Sequence, residues 1–241
     1  MTVRATRWVA CSSSPDPCRI SQGELSPPIP GSLQSPRGYQ PSSKGDPTGR
    51  PHGDVSVTMA PKLTYQTLVG HLDAAVESLL PDQIIDAGHP EHGGFVSARD
   101  GMAGGAHFGC MMTLGFAWLC EGSRYHGSED VRDRLIEAAG FARAIRRPSG
   151  RYDLITTNWD CGPYTAFAIQ AIAPVVAAAR TSGLDGADQI EEQFGEIIRA
   201  AAPGMASGGF HTPNHRWVLT SALSQAWSLY PDLDVVPTIE S

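Results

Sequence analysis

Nothing in this sequence reads as a secretory leader. Trp8-Val9-Ala10-Cys11 is too short for the apolar core of a signal peptide, and no apolar run reaches transmembrane length. Cysteine is scarce: there are five (Cys11, Cys18, Cys110, Cys120 and Cys161), and none forms a Cys-x-x-Cys pair. That spacing speaks against a disulfide framework or a thiolate metal site. Three of the five fall after residue 59, in or beside apolar helix-like segments, where they read as reduced core residues. A cytoplasmic location is the resulting expectation. β signals are sparse throughout, which leaves helix as the main building block.

Positive charge is also in short supply. Residues 1–58 hold six Lys+Arg and four Asp+Glu, leaving 12 basic against 21 acidic residues in 59–241, a surplus of about nine negative charges. Nucleic acid and anionic membrane are therefore not expected as partners. The cations that remain cluster in Arg143, Arg146, Arg147 and Arg151, a run that suits the carbonyl end of a helix.

Gly (26) and Pro (19) are abundant for a helical protein, and the excess is localised. Residues 1–58 are dense in Ser, Pro, Gly and Arg with no apolar periodicity, so a disordered extension is expected there. Met59 opens an ordinary globular sequence and is read as the true or an alternative start.

From residue 64 onward the pattern is helix after helix: 64–80, 107–123, 128–146, 163–180, 187–201 and 213–230. Those at 107–123 and 163–180 are apolar nearly all round, whereas 64–80, 128–146 and 187–201 carry one apolar stripe. The order is therefore outer, inner, outer, inner, outer, inner. Inner helices start roughly fifty residues apart, the spacing of helical-pair repeats. The loop His92-Gly93-Gly94-Phe95 before the first is echoed by Ser207-Gly208-Gly209-Phe210 before the last. The predicted fold is all-α: an incomplete (α/α) toroid of about three helical hairpins over 59–241, with an open apolar edge suited to self-association.

In such a toroid the inner helices run the same way, so the loops before them gather at one end. Those loops carry His89, Glu91, His92 and His107; then Tyr152, Asp153, Asn158, Trp159, Asp160 and Tyr164; then His211, Asn214, His215, Arg216 and Trp217. Trp and Tyr beside polar groups serve equally as sugar-stacking platforms and as interhelix anchors. In the last loop Thr212 is placed as N-cap and Pro213 at the first helical position. Helical spacing then aligns Asn214 with Val218 and Ala222, and His215 with Leu219 and Ala226, which predicts a buried amide–imidazole pair in a shared cleft. His215 is expected to be neutral there. His89-Pro90-Glu91-His92 has metal-ligand types, but Pro90 interrupts the helical face and no third ligand is fixed, so neither metal nor cofactor is expected.

Asn214-His215 at an inner-helix start, preceded by Gly209-Phe210, with Asn158-Trp159 at the preceding start, resembles the toroid of uronic-acid polysaccharide lyases. The group in question is the heparinase II/III-like and oligoalginate lyases, and the likeness covers about 152–230. It implies β-elimination on an acidic polysaccharide or oligosaccharide, without a metal. Asn214 would hold the C5 carboxylate, and His215 would act as base or carboxylate partner. Tyr164 is the candidate acid for the departing O4, though spacing does not single it out. Asn158, Trp159, Asp160, His211, Arg216 and Trp217 would line the substrate. Members of that group usually carry a β-sandwich domain after the toroid, which is not expected within these 241 residues. Two other readings stand beside it: a toroid glycoside hydrolase using Asp153 and Asp160 as its acid/base pair, and a non-catalytic helical-repeat glycan-binding or scaffold protein.

Overall fold

The structure is a computed structural model that describes residues 63–239 apart from 100, 105, 158 and 208–211. Those residues belong to the unit Met59–Ser241. The expectations for residues 1–58 lie outside them.

Helix boundaries follow local chemistry. α1 (Tyr65–Leu79) starts where the Thr64 hydroxyl accepts from the Thr67 amide at 3.1 Å, and Pro81 turns its end into a short 3₁₀ segment. α2 (His107–Leu119) is the short apolar core helix, and α3 (Glu129–Ala144) opens on Ser128 with Glu129 and Asp130 in its positive first turn. A hairpin follows, β1 (Tyr152–Leu154) with β2 (Trp159–Cys161), paired antiparallel. α4 (Gly162–Ser182) is capped by the Cys161 thiol, which accepts from the Tyr164 amide, and is ended by Gly183 at φ 67°. α5 (Ala187–Ala206), α6 (Pro213–Leu229) and the short α7 (Val236–Ile239) complete the described elements.

The described residues are thus mostly helical, with the helices close to their predicted limits. The largest differences are α2, which stops at Leu119, and α5, which runs five residues further than expected. The two short strands were not anticipated; three residues each give no alternation to read.

Cross-helix contacts fix the directions. The Gln170 amide donates to the Val218 carbonyl at 3.0 Å and Arg180 donates to the Leu229 carbonyl at 2.9 Å, so α4 and α6 run parallel. The Tyr164 hydroxyl donates to the Gly104 carbonyl at 3.1 Å, and a Cβ at Gly115 would lie 2.6 Å from Val175, so α2 also runs parallel to α4. Behind them α3 and α5 are parallel to each other, Arg132 lying beside Gly186 and Arg143 3.5 Å from Glu196. Each is joined to the preceding helix by a short loop, 120–128 and 183–186, and runs back along it. α1 pairs antiparallel with α2, its Tyr65 hydroxyl 3.3 Å from the Cys120 sulfur.

The core lies between these layers. Trp118, Met111 and Leu114 of α2, Leu135 of α3, Ile169 and Ile172 of α4, and Ile190, Phe194, Ile197 and Ile198 of α5 are all fully buried. α4 sits at the centre, touching α2, α5 and α6. It is also the one described helix long and apolar enough to cross a membrane, a correction to the sequence reading; most of it is buried in this core, which accounts for its composition. Part of the inner layer stays uncovered, with Phe167, Trp217 and Trp227 exposed.

Candidate functional site

Because α2, α4 and α6 are parallel, their N-termini lie at one end of the molecule, and the described parts of all three loops meet the solvent there. The first two loops build a cavity of about 240 Å³. Glu91, Met102, Ala103 and Gly104 come from the segment before α2, Phe141 and Ile145 from the end of α3, Tyr152, Asp153 and Ile155 from the hairpin and its turn, and Tyr164 from α4. Tyr164 also lines a second, apolar cavity of about 300 Å³ between α2 and α4, beside Phe108, Gly109 and Phe167. The residue proposed from sequence as an acid is therefore the wall shared by both. Burial raises its phenol above the ordinary value, so it is protonated at neutral pH.

The third loop departs from expectation. Asn214 is exposed and His215 half-buried, and the packed stripe of α6 begins a turn later, at Leu219, Ala222, Leu223 and Ala226. Periodicity gave the direction of the stripe correctly, but not how far neighbouring helices extend to cover it. Thr212 occupies the N-cap position without capping through its side chain; its hydroxyl instead donates to the Asn214 side-chain oxygen. Neither Asn214 nor His215 lines the cavity that contains Tyr164, contrary to the single shared cleft expected from sequence. Arg216 and Trp217 are exposed, Trp217 at 79%. Asn158 and His211 lie outside the described residues.

The hairpin places Asp153 directly opposite Asp160 in register, with Trp159 exposed one position on. Facing carboxylates repel, and each is engaged by a neighbour. Arg147 donates from Nε to both Asp153 oxygens at 2.9 Å and also from Nη2, while the Ser149 hydroxyl donates to Asp160 at 3.0 Å. The rest of the arginine cluster is equally committed. Arg143 and Arg146 both reach Glu196 on α5, and Arg151 donates to the Gly204 carbonyl at 2.6 Å and to Ser207, holding the C-terminal end of α5. Of the four, Arg151 takes the cation-at-helix-end role, at the end of α5, whereas Arg143 and Arg146 pair with Glu196 in the middle of that helix and Arg147 with Asp153.

His107, the first residue of α2, is a strongly perturbed titratable group of this end. It is fully buried among Phe95, Phe108 and Phe141, with Nε2 2.9 Å from the Ala138 carbonyl. A carbonyl accepts only, so Nε2 carries the proton; Nδ1 is then an unprotonated acceptor with no hydrogen-bond partner. Burial lowers the imidazole to about 4, the bond to Ala138 opposing only in part. Its role is to tie α2 to α3. Cys110, one turn on, is likewise held as a thiol, pushed up to about 11 by burial and then by Asp82.

The His89–His92 segment does not act as a unit: His89 Nδ1 accepts from the Glu91 amide, and His92 Nε2 lies 3.8 Å from Glu137. Among the described residues no group of three or more His, Cys, Asp or Glu side chains could hold a metal ion. Sequence reasoning named Glu91, Tyr152, Asp153 and Tyr164 but missed Met102, Phe141, Ile145 and Ile155, ordinary apolar residues whose only distinction is where the fold brings them. No protein-family model, curated protein or solved structure matches the chain.

Proposed function

We propose that this protein is a carbohydrate-active lyase that cleaves a uronic-acid-containing polysaccharide or oligosaccharide by β-elimination, built on an incomplete (α/α) toroid of about three hairpins. The observation that carries the reading is the parallel run of α2, α4 and α6, which brings Tyr164 and the Asn214-His215 pair to the same end of the fold. Two layers of mutually parallel helices are what an arc of such a ring would contain.

The chemistry follows from the helix end. An exposed amide in the first turn of α6 stands where the helix dipole is positive, a favourable place for a substrate carboxylate, and exposed Arg216 adds charge. Quenching that carboxylate lets the C5 proton leave. His215 takes the proton, the electron pair forms the C4–C5 double bond, and O4 departs with a proton from Tyr164. Trp159 and Trp217 offer exposed rings against which a sugar face can stack. The hydrolase alternative is weakened because Asp153 is committed to Arg147, leaving no unpaired facing carboxylates.

A panel of uronate polymers separates the readings. The lyase reading predicts new ultraviolet absorbance from an unsaturated uronyl end. New reducing ends without that absorbance would instead mark a hydrolase. Glycan retention without turnover, unaffected by Asn214→Ala, would mark a binding scaffold.

A further inference from the structure

The cavity beneath Tyr164 has a chemistry of its own, independent of the lyase reading. Its walls are aromatic and aliphatic: Phe141 and Tyr152 are buried at its floor, Tyr164 forms one side, and Met102, partly exposed, sits at the mouth. Among the described residues its side-chain charges are carboxylates, and no Lys, Arg or His lines it. Of the two acids, Asp153 is neutralised by Arg147. Glu91 is exposed at the rim and takes part in none of the ion pairs found among the described residues.

This combination discriminates between ligands. At the rim an anion would meet the Glu91 carboxylate, which disfavours a uronate carboxylate there. A bare metal ion would meet aromatic and aliphatic side chains where it needs several oxygens. A small organic cation gains on both counts: its apolar surface fills the box, its charge faces aromatic quadrupoles, and Glu91 supplies the counter-charge. The negative surplus of residues 59–241 draws cations towards it.

We propose that this cavity is a binding site for a small organic ammonium ion, with Phe141, Tyr152 and Tyr164 as its aromatic walls and Glu91 as its counter-ion. The test is titration of the full chain at low salt with choline and with its neutral isostere 3,3-dimethylbutan-1-ol, followed by ligand-observed NMR on the methyl protons. Choline should bind at millimolar concentration or tighter, and the isostere at least about tenfold more weakly. Glu91→Gln, at an exposed position, should cost choline at least about tenfold in affinity while leaving thermal unfolding unchanged. Equal affinity for the two probes, choline binding indifferent to Glu91→Gln, or no choline binding at tens of millimolar would each overturn the proposal. Turnover of uronate polymers does not enter any of these readouts, so the site and the lyase reading fail separately.

Discussion

His107 shows how much one residue can hold. Its imidazole is neutral because it is buried, and its proton is fixed on Nε2 by a backbone carbonyl of the neighbouring helix. Since its folded value lies near 4, below the ordinary 6.5, the unfolded chain binds the extra proton first. Stability should therefore be intact above about pH 6.5 and fall as pH drops towards 4, by about 3 kcal/mol in all from this group. Urea denaturation between pH 4 and 8 measures it. His107→Gln should be less stable at neutral pH yet lose most of this pH slope; an unchanged slope would assign the acid sensitivity to other groups. The sequence placed His107 in a polar loop cluster, and nothing in its neighbours said that Phe95 and Phe141, from two other segments, would join the adjacent Phe108 around it.

At the level of elements, helices were legible because each carries its own period and its own stop signals. The charge-rich α3 and the all-round apolar α4 differ visibly in composition, and that difference is the layer assignment. The β1–β2 hairpin was not legible, because three-residue strands pair through backbone register alone. Close approach of helices leaves a fainter trace. Gly115 in α2 faces Val175 in α4, where a Cβ would sit 2.6 Å from a valine methyl. Gly115→Ala should destabilise the fold by about 1–3 kcal/mol despite the better helix propensity of alanine. Val175→Ala in the same chain should return part of that loss, a coupling readable in a double-mutant cycle of thermal or denaturant unfolding. Strict additivity would mean that the two helices part freely at this point.

At the scale of all the described residues, the helical content was readable in advance; the depth of burial was not, since α5, expected outside, buries more of its residues than α6, expected inside. The opening turn of α6 was placed inside by its phase, yet Asn214 faces solvent because packed cover begins only at Leu219. That difference bears directly on function. An exposed amide at a helix N-terminus can meet a polymer that a buried one could not reach. It also means that replacing it should spare the fold, which separates a chemical role from a structural one. The same holds for His215, half-buried at the same helix end.

The central claim, β-elimination at the common end of α2, α4 and α6, is tested most directly by the initial rate of ultraviolet absorbance gain on a uronate polymer, compared between the unaltered chain and Asn214→Ala with thermal unfolding followed in parallel. The rate should be lower by about two to four orders of magnitude in the variant, as for loss of a group that stabilises developing charge, with unfolding essentially unshifted. A variant that folds normally and gains absorbance at the unaltered rate would contradict it.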